Sequence, residues 1–133
     1  MSIQPQTRRR RRSQHATLIV AGGGRVLTEA VSRQLGYQSS YEVVLAQLPG
    51  EVLRQLTLRH VPLVVCDDTA PCMRSFQLMS EIKACSPQTR VVLIVPGGSI
   101  DQERRARAAG ADEYLAQPFA LKRLRGIVAE VFA

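Results

Sequence analysis

Short apolar runs alternate with stretches of helical periodicity from residue 16 to the end of the chain. No other feature restricts the fold as much. Thr17-Leu18-Ile19-Val20-Ala21 is apolar throughout and stops at Gly22, as a strand buried on both faces does. Arg25 to Leu35 then places Leu27, Ala30, Val31 and Leu35 at helical spacing, and Gly36 ends it. The pattern repeats four more times. Tyr41–Ala46, Leu63–Cys66, Arg90–Val95 and Glu113–Ala116 read as strands. Pro49–His60, Met73–Ala84, Ser99–Ala109 and Phe119–Phe132 read as helices. The helix at 73–84 carries Phe76, Met79, Ile82 and Lys83. The polar helix at 99–109 offers Asp101–Arg105 and Glu103–Arg107 pairs at i, i+4. The last helix sets Leu121, Leu124, Ile127, Val128 and Val131 on one stripe. Five strand–helix units of this kind predict an α/β domain in three layers, a parallel sheet with helices on both faces.

A chain of 133 residues has room for one such domain. With 45% hydrophobic and 22% charged residues it can build a core without disulfides or a structural metal. No apolar run approaches the length of a membrane span. Three cysteines, Cys66, Cys72 and Cys85, form no Cys-x-x-Cys pair, and with only His15 and His60 no zinc spacing can be written. Reduced thiols in a cytoplasmic protein are the expectation.

Residues 1–15 are predicted to be a disordered, Arg-rich tail, with 16–133 as the folded domain. The net charge of +7 falls to +2 without the consecutive Arg8, Arg9, Arg10, Arg11 and Arg12. The basic character therefore belongs to the tail and not to the fold surface. Those five guanidiniums are candidate polyanion-binding residues for nucleic acid or acidic lipid; the plain alternative is a solvated extension. The apolar stretch behind the arginines is too short for an export signal.

Open parallel sheets carry their sites at the carboxyl ends of the strands. Four segments fall there: Gly22–Gly24, Asp67–Thr69, Val95–Gly98 and Ala116–Pro118. The glycines at 22–24 do not complete a dinucleotide fingerprint, because Leu27 stands where the third glycine belongs. No Gly-Lys-Ser/Thr follows, so there is no phosphate-binding loop of that type. Asp67 and Asp68 offer a nucleophile or a ligand for a hard cation, or else a polar strand terminus. No Ser–His–Asp or Cys–His spacing points to hydrolysis, and no enzymatic activity is expected.

Three segments carry a resemblance to a known family. Leu63-Val64-Val65-Cys66-Asp67 is followed by Pro71, four residues on. Gly110-Ala111-Asp112-Glu113-Tyr114-Leu115-Ala116-Gln117-Pro118-Phe119 is very close to Gly-Ala-Asp-Asp-Tyr-Leu-x-Lys-Pro-Phe. Leu35-Gly36-Tyr37 matches the end of a first helix, with a small insertion at Gln38–Tyr41. From about Ala16 to Phe132 the chain resembles the receiver domain of bacterial two-component response regulators. The resemblance implies the flavodoxin-like fold, a five-stranded parallel sheet in the order 2-1-3-4-5.

It also implies a chemistry. In the family, a phosphohistidine kinase passes its phosphoryl group to one aspartate, assisted by magnesium and placed charge. Asp67 takes the acceptor position, Thr69 the backbone-carbonyl ligand, Tyr114 the aromatic switch, and Pro118 the proline after a cis bond. The acidic pair that completes the cation site falls on Ala21 and Gly22, with Gly23 beside them. The phosphate-binding lysine falls on Gln117 and the Ser/Thr on Val95. These five positions lack the groups that phosphotransfer needs. The expected function is a stand-alone, degenerate receiver, independent of phosphorylation, that signals through protein–protein contact without a cofactor. Its partner would be a histidine kinase, an output protein or another receiver, including a second copy. The expected face combines the fourth helix, fifth strand and last helix, with Arg104, Arg105, Arg107, Lys122 and Arg125 exposed. No output domain follows residue 133, so its effect is expected to pass through another polypeptide.

Three alternatives stand beside it. A conventional receiver would be phosphorylated on Asp67 and bind magnesium through Asp67 and the Thr69 carbonyl. A nucleic-acid-associated protein would use Arg8–Arg12. A small nucleotide- or cofactor-binding protein would use Gly22–Gly24 and Pro96–Gly98.

Overall fold

The computed structural model describes residues 16–22, 33, 41–68, 73–117 and 120–132. Five strands are β1 (Ala16–Ala21), β2 (Tyr41–Ala46), β3 (Leu63–Asp67), β4 (Arg90–Val95) and β5 (Glu113–Ala116). Four helices are described in full: α1 (Pro49–Leu58), α2 (Ser75–Cys85), α3 (Ile100–Ala109) and α4 (Ala120–Val131). The helix expected at 25–35 lies outside the described residues except for Arg33, which is helical. The tail, Gly23, Gly24, Thr69, Pro71, Cys72 and Pro118 also lie outside them.

All strand pairs are parallel, and the sheet order is β2-β1-β3-β4-β5. Period-two alternation sorts the strand residues onto two faces. Ile19, Val64, Cys66, Val91 and Leu93 face one way and pack against Val52, Leu78, Met79, Ile82 and Ala106 of α1, α2 and α3. Leu18, Val20, Leu63, Val65, Val92 and Ile94 face the other way, against Leu124, Ile127 and Val128 of α4. Both faces are apolar because both are covered.

Two helix boundaries depart from the expectation by two residues. Arg74 has φ 46° and ψ 60°, a left-handed backbone that blocks any helix through it, so α2 starts at Ser75 rather than Met73. Met73 instead packs in the core, 1% exposed. α1 stops at Leu58, before His60, because Arg59 is extended while its N–H still bonds the Gln55 carbonyl. Glu103–Arg107 forms at 3.0 Å, but Asp101–Arg105 is not among the ion pairs of the described residues. Ser99 caps α3, its Oγ accepting the Gln102 N–H at 3.1 Å. Lys83 turns away from the α2 core stripe to donate to Asp112 Oδ2 and the Thr89 carbonyl, each at 2.7 Å.

Candidate functional site

β3 lies at the centre of the sheet, so its last residue, Asp67, sits between β1 and β4. The β1–β3 register pairs Ala21 with Cys66, and the β3–β4 register pairs Asp67 with Ile94. One step beyond Ala21 the chain reaches Gly22, whose N–H donates to the Ala46 carbonyl of β2 at 3.0 Å. Gly22 and Asp67 thus end up side by side. A Cβ placed on Gly22 would lie 2.6 Å from the Asp67 Cβ and 3.2 Å from its Oδ2. The approach of the two strands depends on there being no side chain at 22.

Asp67 is 2% exposed and Ala21 fully buried. The expectation of a polar strand terminus fails here: the carboxylate is enclosed by its neighbours, not presented to solvent. Asp68 is half-buried, and its N–H donates to the Ile94 carbonyl at 2.9 Å. Burial raises the Asp68 pKa above its ordinary value. The neighbouring Asp67 adds to the shift, and the nearby Ser75 hydroxyl offsets part of it. Burial, then Asp68, then Asp67 push the Cys66 thiol up to about 12, which keeps it neutral and unreactive.

At the other side of the site, Val95 is apolar and 1% exposed. Gln117 is half-buried, its N–H donating to the Val95 carbonyl at 3.0 Å. Tyr114 is half-buried, and its hydroxyl donates to Gln102 Oε1 at 3.1 Å. A Cβ on Gly98 would fall onto that hydroxyl. Gly98 therefore makes the room in which Tyr114 lies, and Gln102 holds its tip. Neither partner was legible in the sequence, since the contacts join a strand to the preceding loop and helix through no local motif. The Gly22–Asp67 contact was hidden for the same reason.

Magnesium needs several oxygen ligands in near-octahedral array. Ala21 and Gly22 offer no side-chain oxygen, and a longer side chain at 22 collides with Asp67. Among the described residues no group of three His, Cys, Asp or Glu side chains could hold a metal ion. Among the described residues the donor set does not fit the cation. Two cavities of the described residues, of about 670 and 350 Å³, lie beside β5 and α4 and between α1 and α2. Arg104, Arg105, Arg107, Lys122 and Arg125 are all exposed on α3 and α4, which flank the open edge of β5. No described helix is long and apolar enough to cross a membrane.

Comparison with known proteins agrees with this geometry. The family model of the response regulator receiver domain matches residues 19–129. Response regulator MprA of Mycobacterium sp. (strain KMS) is 26% identical over 107 residues, 80% of this chain and 46% of that protein. The response regulator protein FleR of Pseudomonas aeruginosa is 30% identical over 114 residues, 86% of this chain and 24% of that protein. The chain spans half or less of the length of these relatives. A response regulator from Thermotoga maritima superposes with a TM-score of 0.75 at 25% identity, covering 88% of this chain and 97% of that one. The signal receiver domain of an HD domain-containing protein from Pseudomonas fluorescens gives a TM-score of 0.78 at 19% identity, covering 90% and 88%. Order of strands, placement of Asp67 and sequence likeness point the same way, and the chain belongs to the response regulator receiver domain family.

Proposed function

We propose that this receiver domain signals by docking, without phosphorylation of Asp67 and without catalytic activity of its own. The observation that carries the reading is the seal between Gly22 and Asp67. The carboxylate is buried, and the adjacent strand end offers no acid beside it and no room for a side chain at 22. Val95 and Gln117 supply no hydroxyl and no positive charge for phosphoryl oxygens. Losing one preorganised electrostatic partner raises a barrier by about 3–4 kcal/mol. Several such losses leave phosphotransfer negligible, even though the effects do not add.

The docking surface we assign is the face of α3, β5 and α4, whose exposed Arg104, Arg105, Lys122 and Arg125 make no ion pair among the described residues. Its partner is another protein of the same signalling system: a histidine kinase, an output protein or a receiver. The free thiols of Cys66 and Cys85 support the cytoplasm as its compartment. The test is incubation with acetyl phosphate and magnesium, followed by intact mass measurement. The mass is expected to stay unchanged. A stoichiometric phosphoryl adduct that is lost in Asp67→Ala would establish the conventional receiver instead.

A further inference from the structure

β2 forms one edge of the sheet, and its outer side has no strand partner among the described residues. Its register with β1 fixes which backbone groups look outward. The Ala46 carbonyl accepts the Gly22 N–H, so Ala46 points into the sheet. In a parallel pair the inward groups belong to alternate residues. Glu42 and Val44 therefore point inward with Ala46, while Tyr41, Val43 and Leu45 turn their N–H and C=O groups outward.

Edge strands are commonly guarded by brevity, charge, proline or a bulge. The far edge has such guards. β5 is four residues long, and its Glu113 holds ion pairs with Arg90 at 3.9 Å and Arg123 at 3.4 Å. β2 has six residues, paired to β1 without a break, and contains no proline or lysine. Its one charge, Glu42, is neutralised by Arg59 at 3.1 Å. Leu45 is 47% exposed, and Leu48, just beyond the strand, 54%. Two of the four large hydrophobic side chains exposed among the described residues thus lie at this edge.

The outward groups match their own two-fold copy. Set antiparallel with Val43 against Val43, the strand places Tyr41 against Leu45 at both ends. Every residue in these pairs has its polar groups outward, so about six backbone hydrogen bonds can form. Directly opposite residues share a face of the sheet. Leu45 of each copy then meets Tyr41 of the other and loses its exposure. Glu42 falls across from Val44 rather than from a second Glu42, and each carboxylate arrives with its own Arg59. No net charge enters the seam.

We propose that β2 pairs antiparallel with β2 of a second copy of this chain, centred on Val43, joining the two sheets into one. The seam lies at the opposite edge from β5, so the face of α3, β5 and α4 stays open in both copies.

Sedimentation equilibrium of the full chain over a range of concentrations, with amide hydrogen exchange at the same concentrations, tests it. A reversible monomer–dimer equilibrium is expected. The N–H groups of Val43 and Leu45 should gain protection as concentration rises, while that of Val44, which points into β1, should be protected throughout. Leu45→Lys puts a charge at an exposed position of the edge, and should weaken the dimer at least about tenfold with little change in Tm. Val43→Pro removes the central outward N–H and should abolish the dimer. Val43 is half-buried, so Leu45→Lys carries the test if that variant folds poorly. Arg105→Glu, exposed on α3, should leave the dimer unchanged. A chain that stays monomeric, a dimer that survives Leu45→Lys or dissociates in Arg105→Glu, or protection that rises equally at Val43 and Val44 would each overturn the proposal. None of these results depends on whether acetyl phosphate modifies Asp67, so the two readings fail separately.

Discussion

Gly22 decides more about this site than Asp67 does. The aspartate ends the central strand, but its reactivity depends on what surrounds it. An Asp67 Cβ at 2.6 Å from a would-be Cβ on Gly22 leaves no place for a second carboxylate there. Asp68, next along the chain, shows the strain of crowding acids. Its folded pKa is raised above 3.8 by burial and by Asp67. A carboxyl with a raised folded pKa keeps its full contribution to stability only below its unfolded value. That contribution declines as pH rises through the folded value. Asp68→Asn should therefore raise Tm relative to the parent at pH 7, and the gain should vanish below about pH 3.8. Thermal melts at both pH values check this; an Asn variant less stable at pH 7 would mean that the charged form is favoured in the fold.

Among the elements, the best-anchored joint lies at the opposite end of the sheet from the site. Asp112 precedes β5, and its Oδ2 accepts from Lys83 Nζ of α2 and from the Val91 N–H of β4, each at 2.7 Å. Its carbonyl accepts from Arg107 of α3 at 2.9 Å. Gly110 ends α3 with φ 122°, against Lys83 Cγ and the Met79 carbonyl, which brings Asp112 into place. One residue thus ties together two helices and two strands. Asp112→Ala would leave a half-buried ammonium and a strand N–H without this acceptor, a loss of about 1–3 kcal/mol. Asp112→Asn should lose less, since its oxygen still serves Val91. Urea unfolding of both variants gives the ranking. The stretch from Gly110 to Phe119 carries the most specific part of the family resemblance, and the joint gives a physical reason for its opening Gly110-Ala111-Asp112. The start of α2 was not legible: local propensity continues the helix through Met73 and Arg74, but Arg74 takes a left-handed backbone while Met73 is drawn into the core.

For the whole molecule, stability lies in two apolar layers on either side of the sheet. Leu93, fully buried in the middle of β4, belongs to the layer under α2 and α3. Leu93→Ala should cost about 2–5 kcal/mol, read as a lower urea midpoint with an unchanged m value. If m fell as well, the change would have altered the compactness of one of the end states. The architecture was readable because strands buried on both faces must be apolar at every position, and helices covering them must repeat near 3.6. These are local demands, and each segment shows them alone. The order of the strands was readable only by likeness to a family, since periodicity says nothing about which strand neighbours which. So the amino-acid sequence by itself determined the α/β class and the five strands, while the significance of Ala21, Gly22, Val95 and Gln117 was readable, like the strand order, only by likeness to a family. The tertiary structure alone decided that Asp67 is sealed against Gly22, that Tyr114 is held by Gln102 over Gly98, and that Lys122, Gly126 and Glu130 line an open groove. Those outcomes depend on register and packing between segments distant in the chain, and no local pattern of residues encodes such distances.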